Sequence, residues 1–188
     1  MMTNPSINIF LDLLQRWNKV YNLTAIRDAS EMEVLHIWDS LAISSWIFGS
    51  NLLDVGTGAG FPSVPLAIQL PELQVTALDS NGKKIRFLHE VQRQLQLPNL
   101  EVVQSRAEHY NPSKKFTTIT SRAFGDIEKM IHCTRHLIEP NGVWLAMKGK
   151  IPHTELQALS FAYEVHEYAL PQGMGERCCI IIKNKNLS

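Results

Sequence analysis

Cysteine is scarce in this sequence of 188 residues. The three cysteines, Cys133, Cys178 and Cys179, are odd in number and show no Cys-x-x-Cys spacing. That pattern predicts neither a disulfide framework nor a zinc knuckle. His132 and His136 are four residues apart and could share a helical face, but no third ligand accompanies them. We therefore expect no metal site.

Long hydrophobic runs are also missing. No stretch approaches the roughly 20 apolar residues that a membrane-spanning helix needs. The segment Met1 to Phe10 has no basic residue before its short apolar part, so a secretory signal is not expected. A cytoplasmic location is the resulting expectation. The length, with 45% hydrophobic and 19% charged residues, suits one ordinary globular domain.

Charge of one sign is not in excess, because 18 basic and 18 acidic side chains give a net charge of zero. A protein that holds nucleic acid by charge alone is usually basic overall. Any contact with nucleic acid must therefore be local, unless the basic clusters are simply solvated surface. The candidate clusters are Lys83, Lys84 and Arg86, then Lys114 and Lys115, then Lys148 and Lys150.

The hydrophobic pattern changes near residue 50. Before it, apolar residues recur at helical spacing and predict two helices, one ending at Asn22 and one over residues 31–46. After it, short apolar runs alternate with amphipathic segments, which predicts a parallel sheet covered by helices on both faces. We interpret residues 1–188 as a single domain, with a helical cap over 1–50 and the core over 51–188.

Seven strands are expected in this core. The predicted strands are residues 52–55, 75–78, 100–103, 117–119, 143–147, 164–170 and 178–183, and the predicted helices are residues 62–70, 83–97, 126–138 and 152–161. The last two strands should be antiparallel, because the loop around Gly173 and Gly175 is too short for a crossover helix. A mostly parallel α/β sheet that ends in an antiparallel hairpin is the methyltransferase variant of the Rossmann-like fold.

A glycine-rich loop, DVGTGAGFP over residues 54–62, is the strongest local signal. It follows a predicted strand and opens a helix, and its glycines let the backbone approach a ligand. The spacing is G-x-G-x-G, with Phe61 at the third glycine of the dinucleotide pattern, and Pro62 and Pro65 remove N–H donors that a pyrophosphate requires. The loop therefore favours S-adenosylmethionine, a ligand without phosphate, and a purely structural turn is the alternative.

Two aspartates accompany the loop. Asp79 ends the second predicted strand, where an acidic side chain accepts hydrogen bonds from ribose hydroxyls in this fold. Alternatively it is the N-cap of the next helix, a role that Ser80 could also fill. Asp54 could bond to backbone N–H groups or lie near the ammonium of the cofactor.

The third and fourth strands end in polar residues. We expect the adenine near Ala107 and Glu108, although a glutamate at such a position is more often a plain surface acid. Arg122 and Phe124 follow the fourth strand, and ligands of open α/β sheets bind at the carboxyl ends of strands. They should therefore point toward the meeting place of substrate and cofactor, unless Arg122 is purely structural.

Two signatures of methyltransferases are absent. No Asn/Asp-Pro-Pro-aromatic turn, typical of enzymes that methylate exocyclic amines, follows the fourth strand. The cysteines fit buried packing better than the nucleophile that pyrimidine C5 methylation needs. A ring nitrogen such as guanine N7 has a lone pair and no proton to lose, so its methylation needs alignment more than a base. We assign no catalytic residue.

The whole sequence resembles the bacterial ribosomal RNA small subunit methyltransferase G family, formerly called glucose-inhibited division protein B. The resembling segments are residues 17–24 (WNKVYNLT), 36–40 (HIWDS), 54–65, 78–88, 105–108, 121–124 (SRAF) and 147–149. The resemblance implies methylation of N7 of one guanine, number 527 in the standard rRNA numbering, in 16S rRNA held in a small-subunit particle. It also implies cofactor contacts at Gly56, Phe61, Ala107, Glu108 and Arg122, to which we add Asp79.

Contacts with the RNA are expected at Lys83, Lys84, Arg86 and Lys148. Three alternatives stay open at this point. A methyltransferase for small molecules or proteins would keep the glycine loop but not explain basic residues beside the cleft. A module that only senses S-adenosylmethionine is disfavoured by Arg122 and Phe124, and a nicotinamide dehydrogenase is disfavoured by the glycine spacing.

Overall fold

A seven-stranded sheet organises the chain in a computed structural model that describes residues 4–122 and 124–184. The strands are β1 (Asn51–Val55), β2 (Gln74–Asp79), β3 (Leu100–Gln104), β4 (Phe116–Ser121), β5 (Ile138–Lys148), β6 (Tyr163–Ala169) and β7 (Glu176–Lys183). Their order is β3-β2-β1-β4-β5-β7-β6, and β7 is antiparallel to both of its neighbours. The other pairings are parallel. The predicted sheet with a terminal antiparallel hairpin is confirmed.

Helices precede the sheet and connect its strands. The α-helices are α1 (Pro5–Tyr21), α2 (Ala29–Met32), α3 (Asp39–Ala42), α4 (Ser63–Gln69), α5 (Gly82–Leu95), α6 (Ile127–Thr134) and α7 (His153–Ala158). Short 3₁₀ segments occur at Ser44–Trp46, Ala107–His109 and Pro171–Gly173. Among the described residues, none of the helices combines the length and the apolar character needed to cross a membrane.

Helix α1 has capped ends, and it stops where its sequence predicts. The Asn4 side chain accepts from the Ser6 N–H, and Pro5 occupies the first turn, where no N–H is needed. Asn22 ends the helix in the left-handed conformation, with φ of 50°, and donates its N–H to the Asn18 carbonyl. The predicted stop at Asn22 is therefore the observed C-cap.

The helix predicted over residues 31–46 is instead divided. Glu33–Trp38 forms a π-helical turn between α2 and α3. Arg122 enters the helix at this turn and donates from Nη1 to the Leu35 carbonyl oxygen at 3.1 Å. Wide turns of this kind occur where an outside group competes for backbone carbonyls. The sequence pattern predicts the apolar face of this helix. It does not predict the contact with Arg122, which lies just after β4 and far away in the sequence.

The segment between α6 and β5 also differs from its prediction. Helix α6 ends at Thr134 rather than near residue 138, and β5 begins at Ile138 rather than 143. A register shift lies between the pairs Phe116–Ile138 and Thr118–Val143, so β5 contains an irregularity. Ile138, which continues the apolar pattern of the predicted helix, is the first residue of β5 instead.

Two hydrophobic cores cover the two faces of the sheet. Leu52 joins the core formed with α1, α4 and α5, whereas the next residue, Leu53, joins the core formed with α6 and α7. This alternation follows from the two-residue period of a strand. Phe10 of α1 lies 5.2 Å from Phe61 and 6.2 Å from Phe87, between ring centroids. Residues of the cap and of the sheet thus share one hydrophobic cluster. The interpretation of residues 1–188 as a single domain stays a prediction.

Candidate active site

The glycine loop joins β1 to α4 in a conformation that favours glycine. Gly56, Gly58 and Gly60 all have positive φ angles, of 70°, 64° and 92°. A Cβ on Gly60 would lie 2.6 Å from Val64 Cγ2, so this glycine is needed for packing. A Cβ on Gly56 would meet no atom within 4 Å. Gly56 therefore leaves open space beside the backbone, as a ligand site requires.

A cavity of about 210 Å³ lies at the carboxyl ends of β1, β2 and β3. Four of the predicted cofactor residues line it: Gly56, Asp79, Ala107 and Glu108. Phe124 and Lys129 complete its rim. We call this the β1–β3 cavity. The structure thus brings together side chains from three separate strand ends, as expected for an open α/β sheet.

Asp79 supports the glycine loop and still faces the β1–β3 cavity. Its Oδ2 accepts from the Gly58 N–H at 2.9 Å, and its Oδ1 accepts from the Asn81 N–H at 2.8 Å. An ionised carboxylate offers about four acceptor positions, so capacity remains for a hydroxyl in the cavity. The N-cap of α5 is Asn81, which accepts from the Lys83 N–H, and neither Asp79 nor Ser80 has that role.

Asp54 is fully buried beneath the glycine loop. Its Oδ2 accepts from the Ser63 N–H at 3.1 Å, and its buried Oδ1 has no hydrogen-bond partner among the described residues. Burial raises the pKa of Asp54 to about 6. Of the two interpretations from sequence, bonding to a backbone N–H is the one observed here.

Glu108 lies at the edge of the β1–β3 cavity and is exposed. A hydrogen bond from its own backbone N–H, and then one from the Cys133 thiol at 3.3 Å, lower the pKa of this carboxyl. An acceptor for an amino group is therefore available at the cavity edge. Cys133, Cys178 and Cys179 are all buried, which agrees with their interpretation as packing residues.

Arg122 leaves the end of β4 and points toward the cap. Its Nη1 lies 3.1 Å from His36 Nδ1 and 3.6 Å from Asp39 Oδ2, and its guanidinium carbon is 5.0 Å from the centre of the Phe61 ring. The Phe61 ring is buried and stacks on His36 at 4.3 Å. The structure thus places Arg122 and the Phe61 ring together, but apart from the residues that line the β1–β3 cavity. Ala123, in the segment 121–124, lies outside the described residues.

His36 connects Arg122 to the N-terminal segment. Because a guanidinium only donates, His36 Nδ1 accepts and Nε2 carries the hydrogen, which it donates to Thr24 Oγ1 at 2.9 Å. The Thr24 N–H donates in turn to Asn18 Oδ1 at 2.9 Å. Burial, and then the charge of Arg122, lower the pKa of His36 to about 3. Three family-resembling segments, 17–24, 36–40 and 121–124, therefore meet in one network around a neutral histidine.

A second cavity, of about 390 Å³, lies at the carboxyl ends of β4 and β5. We call it the β4–β5 cavity. The side chains that define its polar wall are Arg122, His36, Asp39, Lys148, Tyr168 and Arg177.

Asp39 is the buried anion in this wall. Its Oδ1 accepts from the Tyr168 hydroxyl at 2.8 Å and lies 4.0 Å from Arg177 Nε. Burial, and then the charge of Asp39, raise the pKa of Tyr168, which therefore stays protonated as a donor. Sequence reasoning assigned no role to Asp39, Tyr168 or Arg177. Tyr168 and Arg177 are paired across β6 and β7, and no local pattern marks such a pair as lining a site.

The residues predicted to bind RNA fall into two groups. Lys83 and Arg86 are exposed on α5. Lys84 Nζ lies 3.7 Å from Asp79 Oδ2, beside the glycine loop. Lys148 Nζ donates to Glu155 and to the Gly125 carbonyl, each at 2.9 Å, and its side chain is only 14% exposed. The first two are therefore available to a phosphate, whereas Lys84 and Lys148 have anionic partners within the protein.

No cluster of three or more His, Cys, Asp or Glu side chains suited to hold a metal ion occurs within residues 4–122 and 124–184. His132 lies in α6, which ends at Thr134, whereas His136 lies beyond that end. His136 Nε2 lies 3.2 Å from the Tyr110 carbonyl oxygen. The two histidines therefore do not share a helical face in this structure.

His36 predicts a loss of stability in acid. Its pKa of about 3 lies below the ordinary value of 6.5, so below pH 6.5 the unfolded chain binds a proton that the folded chain excludes. The stability from neutral His36 is thus complete above pH 6.5 and is lost as the pH falls toward 3. Asp54 acts oppositely, because its raised pKa lets the folded chain hold a proton that is lost as the pH rises through 6.

Urea unfolding across this pH range tests the prediction with His36→Gln. Glutamine can accept from Arg122 and donate to Thr24 but does not titrate. The variant should show a flatter decline of unfolding free energy below pH 6.5, by up to about 1.4 kcal/mol per pH unit. His89→Gln, an exposed histidine on α5, should follow the wild-type curve. Parallel curves for wild type and His36→Gln would contradict the assignment.

Comparison with known proteins shows which family the sequence matches. The family profile for rRNA small subunit methyltransferase G matches residues 3–176. The chain is 55% identical over 177 residues to the ribosomal RNA small subunit methyltransferase G of Legionella pneumophila (strain Philadelphia 1), covering 94% of this chain and 85% of that protein. Identity to the Pseudomonas aeruginosa (strain PAO1) protein of the same name is 49% over 178 residues, covering 93% and 83%.

Solved structures share the fold at low identity. A SAM-dependent methyltransferase from Aquifex aeolicus superposes with a TM-score of 0.64 and 18% identity, covering 86% of this chain and 96% of that one. This likeness bears on the fold alone, whereas the family profile and the relatives extend over most of the sequence. The chain belongs to the rRNA small subunit methyltransferase G family.

Proposed function

We propose that the chain transfers the methyl group of S-adenosylmethionine to N7 of a guanine in 16S rRNA, within a small-subunit particle in the cytoplasm. One observation carries this proposal. Phe124 lines the β1–β3 cavity, and Arg122, two residues earlier, lines the β4–β5 cavity. The end of β4 thus stands between two cavities on either side of the point where strand order reverses, where open α/β sheets bind their ligands.

S-adenosylmethionine fits the β1–β3 cavity better than a dinucleotide does. The Gly60 and Phe61 N–H groups donate to the Thr57 carbonyl, the Ser63 N–H donates to Asp54, and the Val64 N–H donates to the Gly60 carbonyl. Few donors therefore remain at the start of α4 for a pyrophosphate. The cavity instead offers carboxylate acceptors, Asp79 and Glu108, which suit ribose hydroxyls and an adenine amino group.

Positioning is the chemistry that these residues perform. When bound, S-adenosylmethionine supplies an electrophilic methyl group, whose transfer to a ring nitrogen leaves a neutral thioether and a methylated base cation with no proton displaced. Arg122 is fixed by Leu35 and His36 and lines the β4–β5 cavity. Lys148, bound to Glu155, contributes a fixed rather than a mobile charge. Alignment of this kind can contribute several powers of ten in rate without a general base.

The function is tested by measuring methyl transfer from labelled cofactor to two substrates, small-subunit particles and naked 16S rRNA. Both substrates must lack the N7 methyl group at the start. We expect label on one guanine, located by the mass of nuclease fragments, and at N7, shown by strand cleavage with borohydride and aniline. Transfer to protein or small molecules instead, or binding without transfer, would overturn the proposal in favour of another methyltransferase class or a sensor. The particle and the naked RNA show which form of the RNA is the substrate.

Gly56→Val should abolish cofactor binding. The added side chain would project into the open space beside the backbone and would also strain a residue at φ of 70°. Gly173→Val is the matched control, because Gly173 has φ of 66° and equal space around its Cβ but lies in the connection from β6 to β7. Titration calorimetry should show no cofactor binding for Gly56→Val and wild-type affinity for Gly173→Val. Wild-type affinity in a folded Gly56→Val protein would contradict the site.

Lys83 and Lys84 should have different roles although they are neighbours. Lys84→Glu places a second carboxylate beside Asp79 and should lower cofactor affinity at least about 10-fold. Lys83→Glu changes only an exposed charge, so it should preserve cofactor affinity and weaken RNA binding. If Lys83 contacts a phosphate, the slope of log affinity against log salt should become shallower by about 0.7 to 0.9. Equal effects of both changes on cofactor affinity would contradict this division.

A further inference from the structure

With the cofactor in the β1–β3 cavity, the β4–β5 cavity on the other side of the β4 end is the place for the target guanine. The proposed N7 reaction then fixes which edge of the base enters this second cavity. When N7 faces the methyl donor, the opposite edge, with the N1–H and the 2-amino group, faces away from it. Both groups on that edge are hydrogen-bond donors, so a dry site that receives them must present an acceptor. Adenine has an acceptor at N1 instead, so the nature of this wall decides which purine is methylated.

Asp39 is the one carboxylate that lines the β4–β5 cavity within the described residues. It is buried, yet its bonds within the protein leave acceptor capacity. Its Oδ1 receives the Tyr168 hydroxyl, but Arg122 lies at 3.6 Å and Arg177 at 4.0 Å, beyond hydrogen-bond distance. A carboxylate with about four acceptor positions therefore retains room for two more donors.

The groups around Asp39 hold it in place for this task. Tyr168 of β6 donates to one oxygen of Asp39. Arg122, which follows β4, and Arg177 of β7 provide the positive charge that offsets burial of the carboxylate. The two arginines also oppose entry of a free cation, so the carboxylate is reserved for neutral donors. A planar base edge with two adjacent N–H groups matches two acceptor oxygens.

Resting on the proposed function, we propose that Asp39 recognises the target guanine by accepting hydrogen bonds from its N1–H and 2-amino groups. The carboxylate would repel the N1 acceptor of adenine. It is then a residue that contacts the substrate and determines base specificity, whereas Tyr168 positions it.

A substrate lacking one of these donors tests the assignment. Small-subunit particles are reconstituted with 16S rRNA that carries either guanine or inosine, which lacks only the 2-amino group, at the target position. A hydrogen bond to a charged group corresponds to about 10- to 100-fold. Wild-type enzyme should therefore show kcat/KM lower by about that factor on inosine, measured as label incorporated at N7.

Variants of Asp39 should reduce this preference. Asp39→Asn should methylate guanine more slowly and should bring the guanine-to-inosine ratio close to one, because the Tyr168 hydroxyl occupies the single amide oxygen and the NH2 group then faces the base. Asp39→Glu keeps the negative charge between Arg122 and Arg177 but moves the acceptor oxygens. It replaces Asp39→Asn in the test if that variant does not fold, and it should also reduce the preference. Asp28→Asn is the matched control, since Asp28 is an exposed helix cap that asparagine replaces well. It should keep the wild-type ratio.

The outcomes separate the two proposals. A purely structural Asp39 would lower both rates equally and leave the ratio unchanged, which would overturn its assignment. Equal methylation of guanine and inosine by the wild-type enzyme would overturn it as well, even with no variant in hand. Methylation at an atom other than N7, or none on either RNA, would overturn the proposed function and the assignment of Asp39 with it.

Discussion

The partly buried guanidinium of Arg122 joins the N-terminal cap to the sheet. It donates to the Leu35 carbonyl, lies against His36 and Asp39, and covers the face of Phe61. A cation out of water costs several kcal/mol unless such partners surround it. These contacts therefore favour the observed position of the cap. The π-helical turn, the neutral histidine and the separation of the two cavities all follow from where this group lies.

Two further features depend on the same arrangement. Phe61 reaches His36 and Arg122 because the glycine loop turns sharply after β1, and Gly60 permits that turn against Val64 and Leu88. The loop then uses its own N–H groups internally, which leaves a ligand site suited to a nucleoside without phosphate. The loop and the cap are thus coupled through one aromatic ring, although the ring itself lines neither the β1–β3 nor the β4–β5 cavity.

The less exposed lysines of this neutral protein have carboxylate partners, whereas other basic residues face solvent. Lys84 lies beside Asp79, which lines the β1–β3 cavity, and Lys148 pairs with Glu155 and lines the β4–β5 cavity. Lys83 and Arg86 remain exposed near the start of α5. The basic cluster of Lys83, Lys84 and Arg86 therefore separates into two sides of α5, because neighbouring positions on a helix point about 100° apart. One side reaches the strand ends and the other faces solvent.

Much of the fold could be predicted from the sequence because its signals are local. Alternating apolar runs predicted the sheet, the short Gly173 loop predicted the hairpin, and the glycine spacing predicted a site at the end of β1. Gly56, Asp79, Ala107 and Glu108 do lie around one cavity. The sequence could not show that Arg122 and Phe61 turn toward the cap, or that Asp39, Tyr168 and Arg177 share a wall. Those contacts join residues as many as 138 positions apart, between Asp39 and Arg177. Local pattern reports which face of an element is buried, whereas only tertiary packing decides which distant side chain that face meets.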